Sequence, residues 1–216
     1  MIGKLISTIE IPEGIESMVN GNDVSFKASG KENARHFKSI NIVLKKIDSK
    51  IEVLAKTERK NVIAEGRTIA AHLKNMLLGL QNDYVCKLEI VYSHFPMTVT
   101  VKDNLIEINN LAGAKQMRKS KILPNVKVEV KGKNITVTGH NKESVGQTSA
   151  NMEMATKIKG KDVRVYTDGI YITEKAAIQI GEWKWQKQKK QKLKRKKLKP
   201  RPKEVPLKVP VRVKGK

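Results

Sequence analysis

Val130-Lys-Gly-Lys-Asn-Ile-Thr-Val-Thr-Gly-His-Asn-Lys142 repeats the plan of Val19-Asn-Gly-Asn-Asp-Val-Ser-Phe-Lys-Ala-Ser-Gly-Lys31. Val130 matches Val19, Gly132 matches Gly21, Ile135 matches Val24 and Val137 matches Phe26. In each copy a strand ending in valine meets a Gly-polar-polar turn, and alternating apolar residues follow. That is the pattern of a β-hairpin with a half-buried second strand. Further on, Gly66-Arg-Thr-Ile-Ala70 resembles Gly146-Gln-Thr-Ser-Ala150, and each begins a segment of helical period, although more chain separates hairpin from helix in the first copy. A hairpin followed by a helix in both halves points to a duplicated α+β module. The fold class expected is α+β: two tandem similar domains, each a small antiparallel sheet packed with one helix, plus a disordered basic tail.

Working outward, the chain divides into a first repeat domain at 1–81, a second at 82–175 and a tail at 176–216. Val62, Ile63, Ile69, Ala70, Leu73, Met76, Leu77 and Leu80 recur at threes and fours, which predicts an amphipathic helix over 62–79 with Gly79 placed to stop it. A second helix is expected from about Glu143 to Lys157, with a weaker apolar face of Ala150, Met154 and Ile158. Ser29-Gly-Lys-Glu-Asn33 reads as a turn-prone loop, and Ala114 to Lys121 as a basic strand-like element.

The 216 residues carry a net charge of +23, which favours a polyanionic partner and says nothing about fold. From Trp183 onward, 16 Lys and Arg stand against the single acid Glu204; that segment holds +15 of the total and leaves +8 for residues 1–182. A partner that neutralised its charges would allow the run to Lys199 to be helical. Pro200, Pro202, Pro206 and Pro210 then impose an extended path, and free in solution such a tail is expected to be disordered. The lone Cys86 lies among Val85, Leu88 and Ile90, so a buried thiol in a reducing compartment is expected. No signal peptide or membrane span is read in the sequence.

Catalytic chemistry finds no support here. Gly30-Lys31 resembles the end of a phosphate loop, yet Gly21 precedes it by eight intervening residues instead of four, and no Ser or Thr follows Lys31. His36, His72, His94 and His140 lack paired spacing, and one cysteine cannot build a zinc knuckle. Asp162 and Asp168 lie in a basic loop, where turn capping suits them better than acid–base work. No cofactor, metal or small-molecule substrate is expected, and the protein is not expected to be an enzyme.

Basic residues carry the functional reading. Lys115, Arg118, Lys119 and Lys121 form one group, and Lys157, Lys159, Lys161 and Arg164 fall within eight residues as another. Tyr166 and Tyr171 flank the second group, where their rings either stack on unpaired bases or pack inward. The tail adds Lys184, Lys187, Lys189, Lys190, Lys192, Lys194, Arg195, Lys196, Lys197, Lys199 and Arg201 as further candidates for RNA contact.

Five motifs in register resemble the archaeal and eukaryotic branch of the large-subunit ribosomal protein L6 family over roughly residues 1–175. They are Ile11-Pro-Glu13; Arg67-Thr-Ile69 with His72 and Asn75-Met76; Val91-Tyr-Ser-His-Phe-Pro96; Lys159-Gly-Lys-Asp-Val-Arg164; and Asp168-Gly-Ile-Tyr-Ile172. The resemblance implies two similar α+β domains and a place on the large subunit near the sarcin–ricin loop and the translation-factor site. It also implies rRNA contact by Lys159, Gly160, Lys161, Arg164, Asp168 and Tyr171. One departure is Leu111-Ala-Gly-Ala-Lys115, where the family usually carries Gly-Glu-Lys. The resemblance implies large-subunit rRNA and neighbouring ribosomal proteins as partners and a cytoplasmic place on the ribosome; no membrane partner and no self-association are expected. The alternatives are a free-standing RNA or DNA chaperone acting through the tail and, third, a peripheral binder of anionic membranes.

Overall fold

Both halves of the chain run through the same order of elements. The computed structural model describes residues 4–178 apart from 94, 161 and 163. The first module contains β1 (Lys4–Glu10), β2 (Glu16–Asn20), β3 (Asp23–Ala28), β4 (Lys31–His36), β5 (Ile42–Ile47), β6 (Lys50–Ala55) and the helix α1 (Lys60–Gln81). The second contains β7 (Tyr84–Val91), β8 (Thr98–Lys102), β9 (Leu105–Asn109), a 3₁₀ turn at Leu111–Gly113, β10 (Arg118–Lys121), β11 (Val126–Lys131) and β12 (Asn134–Gly139). It closes with the helix α2 (Lys142–Thr156) and β13 (Gly169–Ile178).

Each module has two small antiparallel sheets, one more than expected, together with its helix. In the first the orders are β2-β3-β4 and β1-β6-β5; in the second they are β10-β9-β8 and β11-β12-β7-β13. Superposing the orders makes β5–β6 the counterpart of β11–β12 and β2–β3 the counterpart of β8–β9. The duplication expected from the sequence is therefore present, but the two hairpins that look alike are not equivalent. Their likeness comes from a shared turn: Gly21 at φ 62° and Gly132 at φ 59° each begin a two-residue connection, the pattern of a type II′ turn. The same shift explains the extra chain before α1, since β4, β5 and β6 intervene.

Period-2 alternation buries one face of each sheet. Val24 and Phe26 of β3 and Ile51 and Val53 of β6 meet Ile69, Leu73, Leu77 and Leu80 of α1 in the first core. Leu88 and Cys86 of β7, Ile106 and Ile108 of β9, and Ile135 and Val137 of β12 gather with Val145 and Met152 in the second. Cys86 is fully buried, as expected.

Three local expectations change. Gly79 does not stop α1, which continues to Gln81; a β-carbon at Gly79 would overlap the carbonyl oxygen of His140, so glycine is there to let the second module approach. Residues 31–33 are not loop but the start of β4, the turn being confined to Ser29 and Gly30, both at positive φ. The buried face of α2 is Val145, Thr148, Ser149, Met152 and Thr156, whereas Met154 is 69% exposed.

The modules meet along β4. Lys31, Asn33 and Arg35 share one face of that strand by its two-residue period, and all three reach the seam. Lys31 pairs with Asp83 at 2.7 Å, Asn33 Nδ2 donates to Met76 O at 3.3 Å and His140 O at 3.5 Å, and Arg35 pairs with Glu143. His72 Nδ1 lies 2.9 Å from the same Glu143 carboxylate, and the Tyr84 hydroxyl donates to Asn75 O on α1 at 3.0 Å.

Candidate nucleic-acid interface

The C-terminal end of α2 brings together groups that are distant in sequence. A helix end leaves carbonyls without intrahelical partners and carries partial negative charge. Arg118, at the start of β10, supplies what is missing: its Nη1 donates to Ala155 O and to Lys157 O, both at 2.9 Å. One cation thereby satisfies the helix end and clamps the β10 strand beside the loop that follows α2. Lys157, Lys159 and Arg164 follow the clamped helix end and are exposed, as are Lys115, Lys119 and Lys121; Lys119 and Lys121 alternate with Arg118 and the buried Ser120 and so stand on the other face of β10.

The loop itself is shaped by aspartates and a threonine. Asp162 accepts from the Arg164 N–H through Oδ1 at 2.9 Å, while its carbonyl accepts from Val165 and Tyr166 N–H groups, so it closes a turn as its setting suggests. Gly160 sits at φ 74°, a conformation that favours glycine. Asp168 is buried at 5% exposure, and its Oδ1 accepts from Ser93 N at 2.8 Å. That bond ties together two of the sequence motifs, Val91 to Pro96 and Asp168 to Ile172. Thr156 Oγ1, also buried, accepts from Ile170 N at 3.0 Å and donates back to Glu153 O. The start of β13 is thus pinned on one side to the end of β7 and on the other to the end of α2.

Between α2 and the start of β13 lies an apolar hollow of about 370 Å³. Met154, Thr156, Ile158, Tyr166 and Tyr171 line it, and Lys157 stands at its edge. Tyr171 is 40% exposed and its hydroxyl donates to Thr167 O at 3.0 Å, leaving the ring as the contact surface.

The predicted residues therefore sort by position. Lys115, Lys119, Lys121, Lys157, Lys159, Gly160 and Arg164 are exposed; Arg118 is the clamp between β10 and the end of α2; Asp168 is a buried tie; Tyr166 and Tyr171 line the hollow. Lys161 and the tail candidates from Lys184 to Arg201 lie outside the described residues. The sequence assigns no role to Thr156 or Ser93, because a hydroxyl in a helix and a serine in a loop carry no periodic signal. Among the described residues no cluster of three His, Cys, Asp or Glu side chains is arranged to hold a metal ion, and no helix is long and apolar enough to cross a membrane.

Known proteins resemble this chain in sequence. A family model described as ribosomal protein L6 matches residues 95–169, from the loop after β7 to the start of β13, and so contains this surface. The large ribosomal subunit protein uL6 of Methanobrevibacter smithii is 42% identical over 167 residues, covering 77% of this chain and 94% of that protein. The uL6 of Methanococcus vannielii is 43% identical over 168 residues, with 78% and 92% covered. That of Methanosarcina mazei is 44% identical over 178 residues, with 82% and 100% covered. Identity above 40%, over spans longer than either module and nearly the full length of each relative, means that the chain belongs to the ribosomal protein L6 family.

Proposed function

We propose that the protein is a structural constituent of the large ribosomal subunit that binds rRNA through the surface at the C-terminal end of α2. The observation that carries the reading is the Arg118 clamp, which holds the start of β10 beside the exposed cations that follow α2 on a module of the ribosomal protein L6 family. Lysines at 115, 119, 121, 157 and 159 and Arg164 neutralise phosphates and release counterions, and the pinned loop holds them in a fixed spacing that suits a folded RNA. Gly160 lets the backbone approach closely. Asp168 acts indirectly, by holding the loop to Ser93. Lys161 and the tail cations add phosphate contacts on this reading, which for them rests on charge alone. The finer assignment, a position near the sarcin–ricin loop and the factor site with neighbouring ribosomal proteins alongside, rests on the family.

The test is sedimentation of cell extract in magnesium buffer, followed by binding of purified protein to large-subunit rRNA. Wild type should travel with the large subunit through moderate salt. Replacing Lys157, Lys159 and Arg164 together by alanine should leave the melting temperature nearly unchanged. The slope of log affinity against log salt should fall by about 0.7–0.9 for each phosphate that is no longer neutralised. Protein found mainly at the top of the gradient would instead favour a free-standing RNA or DNA chaperone.

A further inference from the structure

We propose that the hollow between α2 and the start of β13 receives one unstacked nucleobase of the bound RNA, stacked against the ring of Tyr171; this rests on the RNA-binding function proposed above. Four observations converge. The cavity, at about 370 Å³, has room for a heterocyclic base, and its walls are mostly apolar or aromatic. The Tyr171 ring is exposed while its hydroxyl is held by Thr167 O, so the ring orientation is set before anything binds. Gly169 adds no side chain to the lining; a β-carbon there would come into van der Waals contact with the Tyr171 ring at 3.4 Å and Thr156 Oγ1 at 3.5 Å. Cations lie beside the apolar lining: Lys157 is among its residues, and Arg164 shares the Asp162 turn with Tyr166.

That last feature selects the occupant. An apolar side chain from a neighbouring protein would fill the hollow equally well, but it gains nothing from Lys157 and the neighbouring Arg164. A nucleotide uses both parts, its base in the hollow and its phosphates on the rim. The division also gives the site a chemical preference. Of the two acids lining the hollow, Asp168 is committed to Ser93 N, so the Glu153 carboxylate is the acceptor placed to meet an N–H edge of the base.

Full-length variants and large-subunit rRNA provide the test, with salt dependence as the diagnostic. Tyr171→Ala should weaken binding roughly 5- to 150-fold, the range for removal of one base stack, while the salt slope stays at the wild-type value. Tyr171→Phe should bind like wild type. Met154→Trp fills the hollow from a position already exposed on α2 and should reproduce the alanine effect without touching the fold; it decides the matter alone if Tyr171→Ala proves unstable. In assembled subunits, chemical probing should show one unpaired nucleotide becoming reactive in both defective variants. The proposal is overturned if Tyr171→Ala and Met154→Trp bind as wild type does. It is equally overturned if their weaker affinity comes with a reduced salt slope, or if no nucleotide changes while a protein cross-link at the hollow disappears. Failure of the wild-type protein to bind rRNA at all would instead remove the function on which the proposal rests.

Discussion

The helices α1 and α2 occupy equivalent places after equivalent hairpins, yet they bury opposite kinds of surface. α1 has 22 residues and presents Val62, Ile69, Leu73, Leu77 and Leu80 to its sheets. α2 has 15 and buries Thr148, Ser149 and Thr156 beside Val145 and Met152. The hydroxyls are engaged: Ser149 donates to Val145 O, Thr148 accepts from Leu123 N, and Thr156 accepts from Ile170 N. The first helix therefore holds its module by area removed from water, and the second adds two sockets, Thr148 and Thr156, that fix the segments beside it. One topology supports both, and the socketed copy is the one that carries the cationic surface.

Truncating the two helices should separate these modes. Leu73→Ala, at a fully buried position, is expected to cost about 2–5 kcal/mol through the forfeited transfer energy and the cavity left behind. Thr156→Val keeps the shape but strands the buried Ile170 N–H, and should cost about 1–3 kcal/mol. Urea unfolding measures both, and RNA binding distinguishes them further: the threonine variant should also loosen the loop and weaken affinity, whereas the leucine variant should not below its unfolding midpoint. Equal binding by the two variants would break the comparison.

A smaller effect has opposite signs in the two helices. Gly79→Ala gains helix propensity but drives a β-carbon into the His140 carbonyl, so it should lower stability despite the roughly 1 kcal/mol in its favour. Gly146→Ala in α2 meets nothing within 4 Å among the described residues, and should raise stability by about 0.5–1 kcal/mol. Thermal melts of the two alanine variants check this; the same sign for both would mean that the seam yields more easily than its geometry indicates.

The smallest effect concerns pH. Burial raises the Tyr84 phenol above its ordinary value of 10.0 and the Cys86 thiol above 9.0. A group whose folded value is raised stabilises fully below its ordinary value, and that contribution is lost as pH climbs through the raised one. Stability should thus decline above about pH 9, first through the thiol and then as Tyr84 loses the proton that it donates to Asn75 O. Tyr84→Phe should remove the later part of the decline, at a cost near 1 kcal/mol at neutral pH. Melting curves across alkaline pH measure it.

Much of this arrangement is legible in the sequence. Alternation locates most strands, the 3.6 period locates α1, and two glycine turns point to a duplication, although through hairpins that are not equivalent. The hairpin register is not legible, because Gly21 and Gly132 report turn geometry, which unrelated hairpins share. The buried face of α2 escapes for a related reason: its side chains are held by hydrogen bonds, and hydropathy assigns the inward face to Ala150, Met154 and Ile158. At the site, composition identifies the lysines, but only the fold shows that Arg118 ties β10 to the end of α2 and that Asp168 is withdrawn from the surface.

The seam has a bearing on how the chain is made. Every strand pairing of the first module lies within residues 4–55, so that part can assemble while the remainder is still being synthesised. Its β4 then presents Lys31, Asn33 and Arg35 to solvent, and the partners of Arg35 and Asn33 across the seam, Glu143 and His140, come more than a hundred residues later. A strand edge bearing two cations is poorly suited to pairing with another chain, so the waiting surface is shielded from aggregation by its own charge. The second module is slower by construction, because β7 at Tyr84 needs β13, ending at Ile178, to complete its sheet. The seam is therefore the last joint to close, and the residues that lock it are also those that keep the unfinished protein soluble.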